Sequence, residues 1–119
     1  VAGKKNFNLK SFLINRLRRA SFAYPPRTQA MQEARVERGI YRCAYCVKEG
    51  KDILWKAKQV KVDHIQPVVD PAVGFIDWNN FISRLFCEKE GFQILCEAHH
   101  HAKTEQENLG RKNKRRKKK

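Results

Sequence analysis

The sequence predicts a small α+β domain. Apolar residues recur at helical spacing in two stretches, residues 9–20 and 78–87. Two short runs, 58–65 and 91–95, have the alternation or the apolar density of strands. Cys43 and Cys46 are matched across a long insert by a second half-site running from Cys96 to His101. At 119 residues one domain is expected, with room for one modest core. A core of that size often needs a staple, and four cysteines in a strongly charged chain suggest a metal rather than disulfides.

Residues 1–8 are polar and basic and are expected to be loose. From Leu9 to Ala20, Leu9, Leu13 and Leu17 fall on one helical face, with Phe12 and Ile14 beside them. Asn8 suits the N-cap. Lys10, Arg16, Arg18 and Arg19 decorate the outside, either as a solvated face or as phosphate contacts. Tyr24-Pro25-Pro26 stops this helix, because proline lacks the N–H and forces its predecessor into extended geometry. Pro26 then opens a second helix to about Arg38, with Gly39 at its C-terminal cap. Ala30, Ala34 and Val36 give that helix only a thin apolar stripe. Residues 1–39 thus read as a basic helical extension packing on a core at 40–109.

Ile40-Tyr41-Arg42 leads into Cys43-Ala44-Tyr45-Cys46, a tight turn with both thiols on one side. Ile53, Leu54 and Trp55 make a poor strand. Lys58 to Ile65 alternates around Val60 and Val62 and ends at Gln66-Pro67. Asp77 can cap a helix from Trp78 to about Cys87, whose Trp78, Phe81, Ile82 and Leu85 follow a packing stripe without chemistry. Cys87 reads as a buried thiol. Gly91 to Leu95 forms a strand that delivers Cys96 to a last helix, about Ala98 to Leu109. Gly110 ends that helix, and 110–119 is a disordered polybasic tail.

The chain carries 26 basic and 12 acidic residues, net +14. Eight basic groups lie in residues 111–119, and without them the remaining 18 basic and 12 acidic residues still net +6. A polyanion is the natural partner, nucleic acid before an anionic membrane surface. Arg16, Arg18, Arg19, Arg111, Lys112, Lys114, Arg115 and Arg116 are the candidate phosphate contacts. No run approaches the ~20 apolar residues that span a bilayer, and no leader peptide is visible. An intracellular, reducing location is expected, where Cys-x-x-Cys is more often metal-binding than bridged.

Cys43, Cys46, Cys96 and one of three histidines supply the four ligands of tetrahedral structural zinc. Cys96-x-x-His99 repeats the offset of Cys43-x-x-Cys46, which favours His99. His100 lies about 100° further round a helix and is free to face elsewhere. If His100 were the ligand, the assignment would slide by one. His101 reads as exposed or facing DNA. Asp63 and His64 sit together at a strand end, where neighbours point to opposite faces unless the backbone bends. Asp63 can be a hard oxygen ligand for Mg²⁺ or a similar ion, while His64 deprotonates a water attacking a phosphodiester. A local Asp-His hydrogen bond is the plain alternative.

These pieces together carry a resemblance. Tyr41-Arg42-Cys43-x-x-Cys46, Val62-Asp63-His64-Ile65-x-Pro67 and Leu95-Cys96-x-x-His99-His100-x-x-Lys103-Thr104 resemble the HNH endonucleases, nearest to the small zinc-containing proteins of bacteriophages. The similarity spans about residues 40–105. The family's usual Cys-x-x-Cys-His is here Cys96-x-x-His99-His100, a change that zinc tolerates.

The resemblance implies a ββα-metal, treble-clef-like core: a strand hairpin and a helix clamped by zinc. It implies that Asp63 and His100 hold a catalytic divalent ion, Mg²⁺ or Mn²⁺, with His64 as general base. The asparagine of the motif normally precedes the segment matching Phe92–Cys96, where this chain has Gly91. Asn80, on the preceding helix, or the backbone then fills that role. Lys103 is either a phosphate contact or a solvated helix lysine. The implied activity is metal-dependent DNA hydrolysis leaving 5′-phosphate ends, in a host cytoplasm if the chain is phage-encoded. A homodimer and phage packaging or replication proteins are further partners left open. The rival classes are a non-catalytic zinc module that only binds nucleic acid, and a ribonuclease.

Overall fold

The computed structural model describes residues 6–118, with side chains through residue 113. Residues 1–5 and the side chains of Lys114, Arg115 and Arg116 therefore lie outside the described residues.

Helix α1 (Leu9–Ser21) begins where capping predicts, the Asn8 side chain accepting the Ser11 N–H at 3.0 Å. Its N-terminal half meets the body through Lys10, whose ammonium stands 3.9 Å over the Phe75 ring. Ile14 and Leu17 pack on the core, while Leu9, Phe12 and Leu13 stay exposed. The expected stripe is thus used at one end. Helix α2 (Pro25–Glu33) opens with both prolines in its first turn, where a missing N–H costs nothing. The Tyr24 hydroxyl donates to the Phe86 carbonyl at 3.1 Å, and its ring meets Phe86 edge-on at 5.1 Å.

The helix expected to reach Arg38 stops at Glu33. Residues 35–37 instead form β1 (Arg35–Glu37), which turns back into β2 (Ile40–Arg42). Gly39 is the pivot, with φ +77°, a turn conformation rather than a helix cap. The boundary expected between residues 39 and 40 therefore cuts a hairpin. Strand β3 (Leu54–Lys56) pairs with the other edge of β2, giving a three-stranded antiparallel sheet in the order β1-β2-β3. Between them the turn expected at Cys43–Cys46 is the start of a short helix, α3 (Ala44–Lys48), capped by the Cys43 side chain.

A second sheet pairs β4 (Val60–His64) with β5 (Phe92–Cys96), in register from Val60↔Cys96 to His64↔Phe92. The insert between them carries α4 (Trp78–Leu85), whose Asp77 cap accepts the Asn80 N–H at 2.7 Å. Every residue of β5 is buried. One core cluster joins Cys43, Cys46, Leu95 and Cys96, with Trp55 and Tyr45 against it. Another joins Val68, Phe81 and Leu85 with the α1 residues.

The last helix, α5 (Glu97–Lys118), does not stop at Gly110. A Cβ there would stand 3.1 Å from the Pro71 Cβ, so glycine lets the helix pass close to that loop. The arginines and lysines beyond it are good helix formers, and the expected disordered tail is helical through Lys118. The result is a mixed α+β fold with two small sheets, compatible with a zinc-containing α+β domain. No helix among the described residues is long and apolar enough to cross a membrane.

Candidate functional site

Cys43, Cys46, Cys96 and His99 converge, their ligand atoms all within 4.8 Å of one another. Cys43 and Cys46 come from the start of α3, Cys96 from the end of β5 and His99 from the first turn of α5. Each element alone is short, so the cluster pins three of them together. The His99 Nδ1 lies 3.4, 3.6 and 3.2 Å from the sulfurs of Cys43, Cys46 and Cys96. Tetrahedral zinc with ordinary bond lengths sets sulfur and nitrogen about 3.6 Å apart, so the group can hold a metal such as zinc.

The thiols are unequal. Burial pushes Cys43 up, but the backbone N–H groups of Cys96 and Cys46 and the His99 ring outweigh it and bring Cys43 below the ordinary thiol range. Cys46 is pushed up, by burial first and then by Cys43. A second thiolate is thus unfavourable without added positive charge, which a divalent cation supplies. His99 Nε2 faces Glu49 Oε2 at 3.2 Å, an outer contact that fixes the ring with Nδ1 toward the sulfurs.

The three histidines separate as helical geometry requires. His100 Nε2 lies 4.0 Å from Asp63 Oδ1. His101 is exposed and pairs with Glu105 at 3.2 Å. The other Asp63 oxygen, Oδ2, is already engaged. Gln93, its cross-strand partner, donates to it at 3.1 Å, and the Lys103 ammonium stands 2.8 Å away.

Lys103 also donates to the His64 carbonyl at 2.8 Å and to Glu107 Oε2 at 3.0 Å. Its three N–H bonds are spent inside the chain. Lys103, expected either as a phosphate contact or as a solvated helix lysine, is instead largely enclosed and clamps Asp63.

His64 ends β4, and a bend follows it. Strand alternation sends the two side chains to different partners, yet Asp63 and His64 line one cleft of about 120 Å³. His64 packs on Phe92, and its Nε2 donates to the Leu85 carbonyl at 2.9 Å. A carbonyl only accepts, so the proton sits on Nε2 and Nδ1 keeps the lone pair. Burial holds the His64 pKa below its ordinary value, and the charges of Arg18 and Arg27 add to that against the pull of Leu85 and Asp63.

Asn80 does not join this group. It lines a neighbouring cavity with Gln66, Ser83, Arg84, Cys87 and Gly91, and among the described residues its side chain makes no hydrogen bond to Asp63 or His64. Position 91 is a glycine without a side chain to offer, and a Cβ there would stand 2.5 Å from the Cys87 sulfur. The Leu85 carbonyl is what orients His64. Cys87 itself is half-buried, less enclosed than expected.

Besides Lys103, the basic residues Arg18 and Arg111 line the cleft. Arg16 stacks over Phe12 at 4.9 Å, Arg19 is exposed, and Lys112 lies beside Glu105 and Leu109 at a separate depression. Sequence reasoning missed Gln93, Glu49, Glu107, Arg27 and the Leu85 carbonyl. Two of them carried a signal: Gln93 is a lone amide in an apolar strand, and Glu107 stands four residues after Lys103. No family model, no curated protein and no solved structure matches this chain.

Proposed function

We propose that this chain is a metal-dependent nuclease of the HNH type that hydrolyses DNA phosphodiester bonds. Its main support is a pair of observations on Asp63: Oδ1 comes within 4.0 Å of His100 Nε2, and the residue lines a cleft with His64. Asp63 and His100 are the residues that would hold Mg²⁺ or Mn²⁺. Such an ion supplies positive charge for the phosphate and the departing oxygen.

The chain's own groups do the rest. His64 is neutral at neutral pH, its Nε2–H is fixed on Leu85, and its Nδ1 can take a proton from an attacking water. Lys103 and Gln93 hold Asp63 from behind, so that Oδ1 faces His100. The Cys43, Cys46, Cys96 and His99 set is read as a structural zinc centre joining α3 to the β5–α5 corner. Reduced thiols of this kind suit an intracellular compartment. The basic surface gives salt-sensitive affinity that carries no base information.

One observation favours the rival, a zinc module that only binds nucleic acid: Lys103 already neutralises Asp63. The two readings part on His64→Ala. The nuclease reading expects that variant to lose Mg²⁺-dependent cleavage of supercoiled plasmid while keeping fold, zinc content and DNA affinity. Undiminished cleavage by the variant, or none by the parent protein, would sink it. Structured RNA in the same assay separates deoxyribonuclease from ribonuclease action.

A further inference from the structure

Arg18 comes from α1 and Arg111 from α5, yet both line the cleft that holds Asp63 and His64. Each guanidinium is positioned by an uncharged neighbour. Arg18 stands 5.7 Å over the Phe81 ring, and Arg111 donates from Nη1 to Asn108 Oδ1 at 2.8 Å. Among the described residues neither makes a salt bridge. The two acids of the cleft, Asp63 and Glu107, are both engaged by Lys103. Arg18 is exposed as a residue, but partial desolvation of its guanidinium and then the charge of Arg111 hold its pKa below the ordinary arginine value. Arg18, Arg111 and Lys103 thus set three positive charges against the two carboxylates of Asp63 and Glu107 in one concave place, an excess that favours a bound anion.

We propose that Arg18 and Arg111 form a two-guanidinium seat for a phosphodiester oxyanion beside Asp63 and His64. Each fork can donate two parallel N–H bonds to phosphate oxygens, which an ammonium cannot. The seat spans the N-terminal helix and the last helix, so the extension becomes part of the substrate site rather than a diffuse basic surface. That the phosphate seated there is the one cut rests on the nuclease reading. The seat itself rests only on the cleft.

The test uses zinc-loaded full chain and two readouts. Inorganic phosphate is titrated while arginine side-chain N–H signals are followed by NMR. Arg18→Gln and Arg111→Gln are each expected to weaken phosphate binding about tenfold, the effect of losing one charge-assisted contact. Arg38→Gln/Lys58→Gln, which removes two exposed charges elsewhere, is expected to change it less than about twofold. Plasmid cleavage is then measured in Mg²⁺, where each cleft variant is expected to lower kcat/KM by about tenfold or more.

Phosphate binding by either cleft variant equal to the Arg38/Lys58 control overturns the seat, whatever happens to cleavage. Loss of binding in both variants with no cleavage by the parent protein supports the seat and removes the nuclease reading. Because the two arginines stand on different helices, a folding defect in one variant leaves the other as the decisive case.

Discussion

Lys103→Met tests how the cleft is wired. The side chain of Lys103 is 13% exposed and touches Asp63 Oδ2 at 2.8 Å, the His64 carbonyl at 2.8 Å and Glu107 at 3.0 Å. Burial alone would lower its pKa, but Asp63 and Glu107 outweigh that and raise it, so it is charged at neutral pH. Methionine keeps most of the stem and removes the ammonium. Two carboxylates, 15% and 22% exposed, then lose their counter-charge.

Breaking a fully buried pair costs about 3–5 kcal/mol. The partial solvation here reduces the expected loss to about 2 kcal/mol. At roughly 4 °C per kcal/mol for a chain of this size, the melting temperature should fall by about 8 °C. If Asp63 and His100 can share a divalent ion, Mg²⁺ should restore more stability to the variant than to the parent, because an added cation replaces the missing charge. The same gain should vanish in Asp63→Asn/Lys103→Met. Thermal unfolding by circular dichroism at several Mg²⁺ concentrations reads all three. A variant melting within about 1 °C of the parent, with the same Mg²⁺ response, would refute this account of Lys103.

Two further outcomes follow from the same geometry. Glu49→Gln should weaken zinc binding by about tenfold in competition with a chelator, since Glu49 steadies the His99 ring from outside; unchanged affinity would show the contact to be idle. The acid limb of kcat/KM for plasmid cleavage should have its midpoint below pH 6.5, because burial depresses the His64 pKa and the neutral ring is the active form. The linked stability has the same sign, being present above pH 6.5 and lost as pH falls through the lower folded value. A midpoint above 6.5 would contradict the buried base.

Local chemistry was legible in the chain. Asn8 and Asp77 cap helices because a short polar side chain reaches N–H groups only three residues ahead. The two Cys/His half-sites could be matched because zinc constrains ligand spacing within each half. What depends on distant partners was not legible. Strand β1 has three residues and no alternation of its own; it exists because β2 pairs with it. Gly110 looks like a stop until Pro71 is seen beside it.

The same divide runs through the cleft. Lys103 reads as a phosphate contact or a solvated helix lysine because Asp63 lies far away in sequence, on another element. The group that orients His64 is a backbone carbonyl, which every residue has and no motif records. The pairing of His100 with Asp63 was expected from the family resemblance rather than from spacing; their side chains stand 4.0 Å apart.

The central claim is that Asp63 and His100 make a second cation site, distinct from the cysteine cluster. Mn²⁺ bound to the zinc-loaded protein can be counted by electron paramagnetic resonance. One ion per chain is predicted, lost in Asp63→Asn and again in His100→Ala, with zinc content unchanged in both. No Mn²⁺ bound to the parent protein, or an ion retained by both variants, would contradict the account.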